Sequence, residues 1–141
     1  MASTRPNEAQ QTSLSLKGAE APIKATGFNH LHLNVRDLAR SIRFYKEAFG
    51  LKVGFSAGPE LMFMVPEGGG HSLALHLVKP DAPVGMAGGF QHFGFKLDVN
   101  DHDRVIEQVE RAGGKLVSRG KHDGRHPYAY VSDPDGYVIE L

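Results

Sequence analysis

Imidazoles and carboxylates bind divalent cations and move protons near neutral pH, and this chain sets them on strand-like segments where they share a face. In FNHLHLNV (28–35), alternation puts His30, His32 and Asn34 on one side and Leu31, Leu33 and Val35 on the other. SLALHLV (72–78) places His76 between Leu75 and Leu77, FQHFGFKLDV (90–99) places His92 beside Phe93 and Phe95, and YVIEL (137–141) places Glu140 between Ile139 and Leu141. Any one of these alone reads as a hydrogen-bonded strand residue. Together they favour a cation, because a carboxylate set among apolar neighbours near a strand end needs a cation or a proton. Fe(II), Mn, Ni and Zn accept such ligands, and two histidines with one carboxylate is the non-haem iron arrangement.

The elements that must position these groups occur twice. After the first strand, Asp37 is placed to cap a helix in which Leu38, Ile42, Tyr45 and Phe49 form one stripe, with Gly50 as the stop. Strands are expected at 51–56, 60–65 and 72–78, separated by Gly and Pro turns. Pro80–Gly89 is the internal linker. RVIEQVERAGGKLV then answers RSIRFYKEAFGLKV at an offset of 64, and His30 meets His92 at 62, so the second opening strand carries two extra residues. The even insertion preserves facing. His76 pairs with Glu140, again at 64. The repeat predicts an α+β fold of two βαβββ modules, 27–79 and 90–141, within a single domain. If helices cover the apolar faces, the two opposite faces form a cupped, barrel-like mixed sheet that gathers His30, His76, His92 and Glu140.

Other residues are placed around that centre. His32 faces inward, but its counterpart is Gly94, so it is assigned to the pocket lining, with Met62, Met64, Lys96 and Tyr128. In GKHDGRHPYAYVSD, Tyr128, Tyr130 and Ser132 share a strand face, and His122 and His126 lie in the loop before it. DPDG (133–136) reads as a turn and not a metal loop. GGG (68–70) precedes a strand and not a helix, which argues against phosphate binding.

Composition bounds the partners. Sixteen basic and sixteen acidic residues cancel, so no net field draws the 141-residue chain to nucleic acid or anionic membrane. There is no cysteine, hence no disulfide or thiolate site, and a cytoplasmic setting is expected. No apolar run approaches the roughly 20 residues of a membrane span. Residues 1–26 are polar and lack the apolar segment of a secretory signal, and they are expected to be a disordered or loosely attached tail.

FNHLHLNVRDLARSIRFYKEAFGLKV, FQHFGFKLDV and DPDGYVIEL together resemble the vicinal oxygen chelate superfamily, which includes glyoxalase I, extradiol dioxygenases, fosfomycin-modifying enzymes and bleomycin-resistance proteins. The resemblance spans about residues 27–141 and implies His30, His92 and Glu140 as ligands of one divalent ion, Fe2+ being favoured over Ni2+, Zn2+ or Mn2+. It also implies a small-molecule substrate with two adjacent oxygens, and a homodimer. Extradiol dioxygenases are similar in placing a catalytic, non-ligand His on the strand of His76, and GKHDGRHPYAYVSDPDGYVIE is similar to their C-terminal motif, so that resemblance implies His76 or His122 as the proton-moving group and Tyr130 as the hydrogen-bond partner of a substrate oxygen. The first expectation is therefore a dioxygenase acting on a catechol-type ring. The alternatives are a glyoxalase-I-like lyase with His76 as a fourth ligand, a fosfomycin-modifying enzyme, and a metal-free sequestering protein. The His/His/Glu set argues against the last.

Overall fold

A computed structural model describes residues 24–141, and the expected tail lies outside it up to residue 23. The first module runs β1 (His30–Val35), α1 (Leu38–Phe49), β2 (Lys52–Ser56), β3 (Leu61–Val65) and β4 (Ser72–Leu77). The second runs β5 (Phe93–Gly94), α2 (His102–Arg111), β6 (Lys115–His122), β7 (His126–Ser132) and β8 (Val138–Glu140). Their sheets have equivalent orders, β1-β4-β3-β2 and β5-β8-β7-β6. In each, the opening strand lies parallel to the last, and the other pairs are antiparallel. Even the irregularities repeat, with register shifts between Val53 and Phe55 in β2 and between Leu116 and Ser118 in β6. The fold is α+β with two βαβββ modules, as the repeat predicts. The sheets are cupped but do not close into a barrel.

Local chemistry sets the boundaries. The Asp37 side chain accepts from Arg40 N at 2.9 Å, and Asp101 accepts from Arg104 N at 3.1 Å, capping each helix at its start. Gly50 ends α1 in the left-handed region at φ 66°. At the end of α2 that conformation belongs to Gly113 (φ 100°), not to Gly114, the residue that the repeat offset matches with Gly50. Gly114 is glycine for space: a Cβ there would stand 2.5 Å from the Ser132 carbonyl oxygen and 2.8 Å from Phe44 Cε2. The expected long strand over 90–99 shortens to Phe93–Gly94, because its parallel partner β8 offers only three residues. Phe93, Phe95, Leu97 and Val99 nevertheless keep their alternation and pack against the core.

One core serves both modules. Phe44, Tyr45 and Ala48 of α1 and Val105, Ile106 and Val109 of α2 meet Leu33, Val35, Met64, Leu73 and Leu75 from one sheet and Ala129, Val131 and Ile139 from the other. Both sheets thus turn their helix-covered faces toward a shared interior. Their polar faces look away from it.

The DPDG turn ties the modules together at the core's edge. Asp133 is 3% exposed, and its Oδ1 accepts from Asp135 N and Tyr137 N, each at 2.9 Å. Its Oδ2 accepts from the Tyr45 hydroxyl of α1 at 2.8 Å. Asp135 accepts from Arg36 N at 3.2 Å, Arg40 Nη2 at 2.9 Å and the Ser41 hydroxyl at 3.2 Å, and Tyr137 donates to the Asn34 carbonyl at 2.8 Å. Burial, then the nearby Asp133 carboxylate, raises the Tyr45 phenol well above its ordinary value of 10.0. The folded state therefore holds that proton more tightly than the unfolded chain does. The resulting stability is whole below pH 10 and is lost as pH rises through the higher folded value. Tyr45→Phe should cost about 1–2 kcal/mol at neutral pH by leaving Asp133 one donor short. Urea unfolding should show a flatter alkaline decline in that variant than in the parent.

Candidate metal centre

The polar face of the first sheet is built by register. His30 lies opposite Ser72, His32 opposite Ala74 and Asn34 opposite His76, so the three imidazoles project from adjacent strands on one side. The His32 and His76 rings meet edge to face at 5.3 Å. His30 Nδ1 donates to Asn29 Oδ1 at 2.7 Å, and its ring lies 5.9 Å from Phe63. Phe63 stacks on Phe55 at 4.3 Å and 12°. Partial burial, then the neighbouring His76 and His30, lowers the pKa of His32.

The second sheet gathers a carboxylate with two imidazoles. Glu140 lies opposite both Gly94 and Tyr130. Its Oε2 is 3.0 Å from His92 Nε2, and its Oε1 is 3.7 Å from His122 Nε2. Tyr130 packs against His92 at 5.1 Å and Tyr128 at 5.3 Å, and Tyr128 stacks on His122 at 4.3 Å. Desolvation, then the Glu140 carboxylate, pushes the Tyr130 phenol up, so at neutral pH it is a protonated donor.

The structure thus brings His92, Glu140, His122, Tyr128 and Tyr130 together in one cluster and His30, His32 and His76 in another. It does not bring the clusters together within one chain. Among the described residues, no three His, Asp or Glu side chains are grouped closely enough to hold an ion. The expected His30/His92/Glu140 set is split between outward-looking faces. The Glu140 side chain, although set between Ile139 and Leu141, is 33% exposed in the single chain.

Two pocket assignments are corrected. Met62 and Met64 lie opposite Leu75 and Leu73, on the helix-covered side, and Met64 is fully buried in the core. Their neighbours Leu61 and Phe63, opposite His76 and Ala74, occupy the polar side instead. Phe63 and Phe55, the latter 55% exposed, are site-face residues that the sequence reading missed. The alternation of β3 against His76 was the signal. Lys96 is exposed beyond the end of β5.

Imidazole nitrogen and carboxylate oxygen are donor types that suit a divalent ion, and the second sheet sets one of each side by side, His92 Nε2 and Glu140 Oε2 at 3.0 Å.

Residues 27–141 match the family model described as Glyoxalase/Bleomycin resistance protein/Dioxygenase superfamily. The lactoylglutathione lyase GLX1 of Arabidopsis thaliana is 31% identical over 81% of this chain, which spans only 43% of that relative's length. The metallothiol transferase FosB of Bacillus licheniformis is 30% identical, over 84% of this chain and 75% of its own. Among solved structures, a possible glyoxalase from Bacillus cereus aligns with a TM-score of 0.62 at 26% identity, covering 82% of this chain and 97% of that one.

Proposed function

The chain belongs to the glyoxalase/bleomycin resistance protein/dioxygenase superfamily, and from that premise we propose that it is a divalent-metal-dependent, glyoxalase-like lyase whose site is shared by two copies of the chain. The observation that carries this reading is the outward direction of both ligand-bearing faces. A two-fold partner can set the His30/His76 face of one copy against the His92/Glu140 face of the other and so complete two equivalent sites. The ligand-lined faces and the exposed aromatics Phe28 (89%) and Phe55 would then be covered. Lactoylglutathione lyase and metallothiol transferase are the names of the sequence relatives described above. That favours the lyase alternative over the catechol dioxygenase expected first.

In this site His92 and Glu140 of one chain and His30 of the other would hold the ion, with His76 as the fourth ligand, and the ion would supply Lewis acidity toward two adjacent substrate oxygens. Tyr130, protonated at neutral pH, donates to one of those oxygens. His122, whose Nε2 lies 3.7 Å from Glu140 Oε1, takes or returns the proton at the neighbouring carbon. Phe55 and Phe63 exclude water from one wall. The dioxygenase reading stays second, supported by His122 and Tyr130 flanking Glu140.

The discriminating experiment offers the protein two substrates after loading with Fe2+, Ni2+, Zn2+ or Mn2+. Turnover of a hemithioacetal, abolished by a chelator and restored by metal, is the expected result. Oxygen uptake with catechols and no hemithioacetal turnover would overturn it.

A further inference from the structure

We propose that Tyr128 is a positioning residue that holds His122 beside Glu140, and that it can do so because residue 120 is glycine. His122 ends β6 at the tip of the β6–β7 hairpin, and its side chain is 58% exposed. An imidazole there has several open rotamers. Its Nε2 lies 3.7 Å from Glu140 Oε1, too far for a hydrogen bond to fix it. What the ring does touch is Tyr128, stacked at 4.3 Å and 28°.

Tyr128 sits opposite Gly120 in the ladder, not opposite His122, so its ring must lean along β6 to reach the imidazole. The space it leans through is the missing side chain: a Cβ on residue 120 would stand 2.7 Å from the Tyr128 hydroxyl and 2.9 Å from Cζ. Those obstructing atoms are the free end of a side chain. Gly120→Ala therefore leaves the strand in place and turns the Tyr128 ring away, unlike Gly114, whose extra Cβ would meet a backbone oxygen at 2.5 Å. The rings His122, Tyr128, Tyr130 and His92 then form a continuous row whose two ends face the two oxygens of one carboxylate. A displaced Tyr128 breaks that row at the His122 end.

The position of His122 stands on geometry alone, whereas its consequence for turnover rests on the proton-moving role proposed above. The test reads the imidazole signals of His122 by NMR in the metal-free, full-length protein, assigned by their loss in His122→Gln. The Tyr128 ring face should shield these protons. The shielding should persist in Tyr128→Phe and vanish in both Tyr128→Leu and Gly120→Ala, with the remaining spectrum unchanged. Unchanged His122 signals in Tyr128→Leu overturn the proposal, and unchanged signals in Gly120→Ala overturn the part assigned to glycine. In a second arm, hemithioacetal turnover by the metal-loaded protein should fall about tenfold or more in His122→Gln. It should fall similarly in Tyr128→Leu, with no further loss in the double variant. If the NMR signals respond while His122→Gln retains full turnover, the proton-moving role of His122 falls and the positioning stands.

Discussion

Glu140→Ala should yield a folded protein that no longer retains a divalent ion. The side chain is a third exposed on the outward face of β8, and its removal opens no cavity in the core formed by Ile139, Val131 and Ala129. What it removes is, among the described residues, the only anionic donor beside His92 and His122, leaving neutral nitrogens that hold an ion weakly. Losing an outer-shell partner alone costs about 10–100-fold in affinity, so loss of a ligand should exceed about 100-fold. Metal analysis after dialysis, with circular dichroism as the folding control, reads the outcome. A retained full equivalent of metal would remove Glu140 from the site. In the same variant the Tyr130 phenol should titrate lower than in the parent, because the carboxylate charge that helps raise it is gone.

The second large effect is on stability. Asp133→Ala should cost about 3 kcal/mol or more, because three donors (Tyr45 Oη, Asp135 N and Tyr137 N) lose their acceptor at a position only 3% exposed. Asp133→Asn keeps one amide oxygen for the two backbone donors and should cost about 1 kcal/mol. Burial raises the Asp133 carboxyl above its ordinary value of 3.8, so the folded state binds its proton the more tightly. That contribution is whole below pH 3.8 and is lost as pH rises through the higher folded value. The asparagine variant lacks this dependence. Denaturant unfolding at neutral pH reads both losses, and an Asp133→Ala protein as stable as the parent would show that the carboxylate does not tie the modules.

The sequence made the repeat legible because the modules keep residue types at one offset. Ile42 and Ile106 and the caps Asp37 and Asp101 have equivalent places in the fold, and Ala48 and Ala112 are both buried although the second helix ends before Ala112. Facing was legible on strands that alternate polar with apolar, so His30, His92 and Glu140 fell on the correct sides. It failed in ELMFMV, where apolar residues occupy both faces and only the register with β4 separates Met64 from Phe63. The task of the DPDG turn was hidden because its partners Tyr45, Ser41 and Arg40 lie 88 to 95 residues away. The relation of the two modules was hidden for a similar reason. An apolar helix stripe states that a face is covered, but not which sheet or which copy of the chain covers it.

The sharing of the site between chains is the central claim, and subunit mixing tests it most directly. His30→Ala and Glu140→Ala proteins each lack a ligand at every site and should each be inactive and free of tightly bound metal. Unfolded together and refolded at equal concentration, half of the dimers are mixed, and each mixed dimer joins one intact first module to one intact second module. Metal binding and turnover should then return to about one quarter of the parent level. A mixture as inactive and metal-free as its two components would contradict a site built across two chains.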